Sequence, residues 1–168
     1  MAGIETGHRT LSREPVQVGE SAYEALDLVR ALAEAQGIEL HAEFETCERR
    51  YVLADRQRLQ QVLLNLLSNA IKFGRGQPIE VDLSLGAADH IEVAVTDHGE
   101  GIEPDDLPRI FDEFVQLSNS QQLGGTGLGL PISKRLATLL GGELRVTSER
   151  GKGSTFRLTL PERIGMED

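Results

Sequence analysis

Residues 59–73 read LQQVLLNLLSNAIKF and show the strongest helical pattern in the chain. Its apolar residues recur at helical spacing and define one face, which consists of Leu59, Val62, Leu63, Leu66, Leu67 and Ala70. Asp55 is a suitable N-cap residue, whereas Gly74 and Gly76 are typical of a helix end. The pattern therefore predicts a long amphipathic helix that begins after Asp55 and ends near Phe73.

Three polar residues lie off the apolar face of this helix. Asn65, Asn69 and Lys72 are spaced i, i+4 and i+7, which places their side chains on one narrow stripe. Asparagine is unfavourable inside a helix because its side chain competes for backbone hydrogen bonds. The stripe is therefore either an ordinary solvated face or a set of residues kept for a function.

Two more helices and several strands are predicted on either side. A helix over residues 21–36 has Ser21 and Glu24 as a capping box, and another begins near Leu130 and ends at Gly141. Segments with β-type patterns predict strands, at residues 38–44, 51–54, 79–85, 91–95, 143–148 and 154–160. The strands over 79–85 and 91–95 are close enough in sequence to form a hairpin.

Asp97 breaks the alternation of the strand that precedes it. Counting by twos from Ile91, its carboxylate falls on the same side as the apolar side chains. A carboxylate buried without partners is costly, so it must accept hydrogen bonds from the protein or from a ligand. Asp97 is therefore either a ligand-binding residue or a cap of the following glycine-rich turn.

Residues 97–126 lose the regular pattern and predict a long loop, in which residues 117–125 have no apolar period at all. Glycines cluster near both ends of this loop. Gly99 and Gly101 follow Asp97, and a second cluster stands immediately before the third helix, at Gly124, Gly125, Gly127 and Gly129. A glycine-rich turn that leads into a helix N-terminus can hold phosphates on backbone N–H groups. The sequence contains neither a Rossmann fingerprint nor a P-loop motif.

Composition limits the class of protein. The chain has 168 residues, of which 39% are hydrophobic, so it can bury one core. Its formal net charge of -10 argues against binding to nucleic acid or to an anionic membrane. Cys47 is the single cysteine, and no signal peptide or membrane span is recognisable, which favours a cytoplasmic protein, although a longer parent can be membrane-anchored.

Four segments, taken in order, resemble the sequence boxes of bacterial sensor histidine kinases. They are residues 59–73 (N box), 97–102 (first glycine box), 110–114 (phenylalanine box) and 125–130 (second glycine box). The resemblance covers residues 15–161 and implies the Bergerat fold, a two-layer α/β sandwich. In that fold a mixed sheet packs against three helices and a flexible ATP lid covers the nucleotide.

The resemblance also implies roles for the residues that break the patterns. Asn69 matches a Mg²⁺ ligand, and Asn65 and Lys72 match residues that orient and neutralise the phosphates, so both count as catalytic. Asp97 matches the acceptor of the adenine amino group. The remaining implied nucleotide contacts are Phe73, Gly99, Gly101, Ile102, Phe111, Phe114, Gly125, Thr126, Gly127, Leu128, Gly129, Leu130 and Ser154, with the Ser154 hydroxyl supporting Asp97 directly or through water.

The expected function is ATP-dependent phosphorylation of a histidine, and that histidine is missing from this chain. In the family it lies in a His-Glu-Leu or His-Glu-Phe motif, which none of the four histidines matches. We therefore expect an ATP-binding catalytic domain at residues 15–161, monomeric in isolation, after a remnant of the dimerisation helix and linker at 1–14 and before a polar tail at 162–168. Its expected partners are its own dimerisation domain and a response regulator, with no nucleic acid and no direct membrane contact.

Three alternatives share part of this pattern. A Bergerat-fold ATPase of the gyrase or heat-shock type carries a water-activating glutamate where this chain has Asn65. An anti-sigma-factor serine kinase shares the fold, but the amino-acid sequence of residues 66–73 matches this class less well. A nucleotide-sensing interaction module would bind ATP without transferring phosphate.

Overall fold

The computed structural model describes residues 12–44, 50–86, 89–112 and 129–162. Within these ranges the chain forms the elements β1 (Arg13–Gln17), α1 (Val18–Ala35), β2 (Leu40–Glu43), β3 (Tyr51–Asp55), α2 (Arg56–Phe73), β4 (Ile79–Leu85), β5 (His90–Asp97), α3 (Gly129–Leu139), β6 (Glu143–Glu149) and β7 (Gly153–Pro161). A short 3₁₀ turn at Leu107–Arg109 follows β5. The part of the predicted lid between residues 113 and 128 lies outside the described residues.

Helix α2 forms as the sequence predicts. The Asp55 side chain accepts hydrogen bonds from the backbone N–H groups of Gln57 and Arg58 at 3.1 and 3.2 Å, and Gly74 ends the helix. Every residue of the predicted apolar face is buried. The helix packs between α1 and α3 and lies over β5, so its position controls that of the other two helices.

A five-stranded mixed sheet backs the helices. Its strand order is β2-β4-β5-β7-β6, with β2 parallel to β4 and every other pair antiparallel. The predicted hairpin is the β4–β5 pair, in which Val81 lies opposite Val95. One layer of three helices on one mixed sheet confirms the predicted two-layer α/β sandwich.

The predicted start of α1 is wrong. The helix begins at Val18, three residues before the expected cap, and Ser21 lies inside it, fully buried and with a hydroxyl that makes no hydrogen bond to any part of the chain that the structure describes. Val18 is itself fully buried, so the apolar face of the helix extends one turn further than the capping-box pattern indicates. Core packing therefore overrides the local start signal.

A strand that the sequence analysis did not predict precedes α1. Residues Arg13–Gln17 form β1 and pair antiparallel with β3, with Val16 opposite Val52, in a separate two-stranded sheet. The strand includes residues 13 and 14, which the sequence analysis assigned to the linker. Two hydrogen bonds connect the start of β1 to the helices. Ser12 N–H donates to Asp55 Oδ2 at 3.0 Å, and the Arg13 guanidinium donates to Leu139 O at 3.1 Å.

Candidate nucleotide-binding site

Asp97 ends β5 with its carboxylate directed into the protein, as its phase predicts. Its side chain is 4% exposed, and Oδ1 accepts a hydrogen bond from Gly99 N–H at 2.9 Å. Burial raises the pKa of the Asp97 carboxyl, whereas the N–H groups of Gly99 and Ser154 and the charge of His98 partly oppose this rise. A carboxylate can accept about four hydrogen bonds, so capping the turn leaves room for a ligand donor.

The turn after β5 lies directly against the end of α2 and the β6–β7 turn. A Cβ atom on Gly99 would stand 2.0 Å from the carbonyl oxygen of Phe73, so no other residue fits there. Gly101 has a φ of +79°, and a Cβ on it would lie 2.3 Å from the carbonyl oxygen of Glu149. Glycine at these two positions therefore lets three backbone segments meet around Asp97.

One residue of the polar stripe of α2, Asn65, contacts the start of α3. The Asn65 amide donates to Ser133 Oγ at 3.0 Å and, more weakly, to Gly129 O at 3.4 Å. Asn69, one turn further on, is half-buried and makes no hydrogen bond with any of the described residues. Lys72 is exposed, and its Nζ lies 5.7 Å from the centre of the Phe73 ring. The stripe is therefore more than a solvated face, because Asn65 joins two helices.

The donor set of this stripe fits a magnesium ion. The amide oxygens of Asn65 and Asn69 lie on one face, and neither accepts a hydrogen bond from the described part of the chain. Magnesium prefers oxygen ligands, and it usually keeps several waters and substrate phosphates in its shell. No cluster of three or more His, Cys, Asp or Glu side chains suited to a metal occurs among the described residues. A metal held chiefly by an amide oxygen and by phosphates is consistent with this composition.

Helix α3 presents its N-terminus to the middle of α2, beside Asn65. It begins at the exposed Gly129, followed by Leu130, which packs against the core. The first N–H groups of a helix have no partner within it and favour an anion. The other expected contacts of this region, Phe114, Gly125, Thr126, Gly127 and Leu128, lie outside the described residues.

Phe111 is anchored to the core of the domain. Its ring meets the Phe156 ring edge-on, with centres 6.5 Å apart. The Lys134 ammonium lies 5.2 Å from the centre of the Phe111 ring and donates to Leu144 O at 2.9 Å. These contacts hold Phe111, which the resemblance implies to be a nucleotide contact, against the core just before residue 113.

The Ser154 hydroxyl bonds to another serine and not directly to Asp97, while support through water stays a prediction. It is hydrogen-bonded to Ser148 Oγ at 2.8 Å, and only the backbone of Ser154 lies opposite Asp97 in the sheet. Ser148 also accepts from Ile102 N–H at 2.8 Å, which fixes the first glycine box. The sequence analysis did not identify Ser148. Its signal is a polar residue in phase with Leu144 and Val146 on the buried side of a strand, the same violation that marks Asp97.

Comparisons with known proteins agree with this arrangement. Residues 54–164 match the family described as "Histidine kinase-, DNA gyrase B-, and HSP90-like ATPase". The autoinducer 2 sensor kinase/phosphatase LuxQ of Vibrio parahaemolyticus is 34% identical over 94% of this chain and 19% of its own length. The chain spans about a fifth of the length of the curated relatives that it matches.

Solved structures of sensor kinases share the fold. Full-length ShkA in complex with AMPPNP superposes with a TM-score of 0.82 at 32% identity, covering 94% of this chain and 32% of that one. The mycobacterial sensor histidine kinase MprB superposes with a TM-score of 0.80 at 30% identity, covering 89% of this chain and 99% of that one. No helix among the described residues is long and apolar enough to cross a membrane. The chain belongs to the histidine kinase-, DNA gyrase B- and HSP90-like ATPase family, as an ATP-binding catalytic domain of the sensor histidine kinase type.

Proposed function

We propose that the domain binds Mg-ATP and transfers the γ-phosphoryl group to a histidine on the dimerisation domain of its parent protein. The observation that carries this proposal is the buried carboxylate of Asp97 at the end of β5. In this setting it accepts a hydrogen bond from the exocyclic amino group of adenine. Guanine has a carbonyl at the same position, so the carboxylate selects against it, acceptor against acceptor.

The phosphates extend from this base towards the start of α3. The N–H groups of the first turn of α3, at Gly129 and Leu130, favour negative charge there. Lys72, exposed at the end of α2, offsets the charge as a compact donor. Asn69 would hold the magnesium ion, which would supply positive charge to the phosphate oxygens, and Asn65 would orient the phosphates beside it.

The chemistry requires positioning more than proton transfer. The bond between the γ-phosphorus and the bridging β–γ oxygen breaks, a phosphorus–nitrogen bond to the histidine forms, and ADP leaves with the electron pair. Asn65 is an amide, so it cannot act as a general base that activates water. It also keeps α2 and α3 together through Ser133 and Gly129. We therefore expect slow hydrolysis of ATP in the absence of the acceptor domain.

The proposed surroundings follow from this reaction. The donor is ATP and the single cysteine is compatible with a reducing compartment, so we place the domain in the cytoplasm. The phosphohistidine then passes its phosphoryl group to the aspartate of a response regulator. In isolation the domain is expected to be monomeric.

The test combines this domain, γ-labelled ATP and a dimerisation fragment of the same parent. The proposal predicts label on the fragment that is labile in acid and absent from a fragment whose histidine is replaced by alanine. Acid-stable label would indicate a serine kinase instead. Binding of ATP without label on the fragment would indicate a nucleotide-sensing module, and rapid phosphate release without the fragment would indicate an ATPase.

A further inference from the structure

The hydroxyl of Ser148 uses its full hydrogen-bonding capacity. It donates to Gly153 O at 3.0 Å, and its oxygen accepts from Ile102 N–H at 2.8 Å. The third bond, to Ser154 Oγ at 2.8 Å, is then donated by Ser154, because a hydroxyl has only one hydrogen. Water could satisfy a half-buried strand serine, yet Ser148 makes one donated and two accepted bonds within the protein.

All three partners of Ser148 lie at the proposed adenine end of the site. Ile102 closes the glycine turn that begins at Asp97, and Ser154 is the residue opposite Asp97 in the sheet. Ser148 itself lies opposite Ser154 on the other side of β7. One oxygen atom therefore links β6, β7 and the turn that carries the base-reading carboxylate.

A second contact holds the same two segments together without a side chain. Gly151 N–H, in the β6–β7 turn, donates to Glu100 O at 2.7 Å. This contact alone leaves the far end of the glycine turn free to pivot, because Glu100 lies before Gly101 and Ile102 after it. The bond from Ile102 N–H to Ser148 fixes the backbone at that end, next to the ion pair between Arg150 and Glu103 at 3.0 Å.

We infer that Ser148 is a positioning residue for recognition of the purine base. It sets the distance between the glycine turn and β7, and so the gap into which the base fits beside Asp97. This inference rests on the proposed function, since it assumes that the base binds there. It assigns Ser148 no contact with the phosphates, which separates its effect from that of Asn69 or Lys72.

Two substitutions and one matched control test it. S148A removes all three bonds and leaves the Ile102 N–H without its partner, whereas S148T keeps the hydroxyl and suits a strand. S84A is the control, because Ser84 is also a half-buried strand serine, and it makes no hydrogen bond with the described residues. It lies opposite Glu92, towards the end of β5 remote from Asp97.

Calorimetric affinities for Mg-ATP, Mg-ADP and Mg-GTP provide the readout. S148A is expected to bind ATP about tenfold more weakly, as the loss of one well-formed ligand-positioning bond implies, and to lose a similar factor of its preference for ATP over GTP. The ratio of ATP to ADP affinity should stay unchanged, because it reports on the γ-phosphate. S148T and S84A should both match the wild type in all three.

Failure of the inference and failure of the proposed function are distinguishable. If the wild type binds no adenine nucleotide, the proposed function fails and the inference falls with it. If the wild type binds ATP but S148A keeps its affinity and its base preference, only the inference is overturned. Equal weakening of ATP and GTP also overturns it, since that pattern indicates general loosening. Should S148A be unfolded at the assay temperature, S148C, which keeps a weak donor and acceptor, is judged by the same criteria.

Discussion

Replacement of Asp97 by asparagine separates two effects of the buried charge, namely its cost to the stability of the fold and its contribution to adenine binding. The substitution keeps the shape of the side chain and one of its two oxygens. Gly99 N–H already bonds to Oδ1 at 2.9 Å, so the single oxygen of the amide stays with that partner. The amide nitrogen of the D97N variant then takes the second position, where it presents hydrogen-bond donors to the adenine amino group, donor against donor.

The size of the effect follows from the burial of the site. A hydrogen bond to a charged group contributes about 1.5–3 kcal/mol, and Asp97 is only 4% exposed, so water does not replace the lost bond. At about 1.4 kcal/mol per tenfold change, ATP affinity should fall roughly 10- to 150-fold. Guanine offers an acceptor at the same position, so GTP affinity should stay the same or rise, and the preference for ATP should disappear.

Stability should move in the opposite direction. Burial raises the pKa of the Asp97 carboxyl, so the folded protein binds a proton here at a pH where the unfolded chain has already lost it. The native state therefore loses stability as the pH rises through the unfolded and then the folded pKa. The D97N variant lacks this loss, so its unfolding midpoint at neutral pH should be no lower than that of the wild type.

The assay is calorimetric titration with Mg-ATP and Mg-GTP, together with thermal unfolding over a range of pH. As the pH is lowered, the ATP affinity of the wild type should begin to fall at a pH above the usual carboxyl range, because the protonated Asp97 side chain loses an acceptor. Any pH dependence of the D97N variant should come from the nucleotide alone. A D97N variant that still prefers ATP over GTP would refute the role of Asp97 in reading the base.

Three further substitutions test other parts of the account. D55A removes the cap of α2 and the partner of Ser12, and should lower the free energy of unfolding in urea by about 1 kcal/mol; an unchanged midpoint would contradict the capping geometry. N69A should reduce the gain in ATP affinity that Mg²⁺ provides, measured as the ratio of dissociation constants with EDTA and with Mg²⁺; an unchanged ratio would remove Asn69 from the metal shell. K134M loses the contact with Phe111 and the bond to Leu144 O, so it should unfold about 1–2 kcal/mol more easily, with K134R partly restoring stability. Equal unfolding curves for K134M and the wild type would show that this anchor contributes nothing.

Local signals were sufficient for the elements that depend on them. The apolar period of α2, its cap at Asp55 and its glycine end all lie within twenty residues, and all three were predicted correctly. The inward position of Asp97 followed from strand alternation alone. The fold class was predicted from the order and spacing of the four sequence boxes. These boxes are spread over several helices, strands and loops, so no single element contains the signal.

Non-local contacts account for what the sequence analysis did not find. Strand β1 has a partner that begins 34 residues after β1 ends, so its existence depends on a pairing that no window of sequence contains. Ser148 bonds to Ile102 across 46 residues, and although its inward phase in β6 is visible in the sequence, the partner that gives it a role is not. Ser21 misled the prediction of α1 because a capping-box pattern does not show whether its serine faces the core.

Titration of the unmodified domain with ATP in the presence of Mg²⁺ shows directly whether the site binds adenine nucleotides. We expect one site per chain, competition by ADP, and weaker binding of GTP. If nucleotide at millimolar concentration gives no heat, and ADP does not displace a fluorescent ATP analogue, then the carboxylate at the end of β5 does not read adenine.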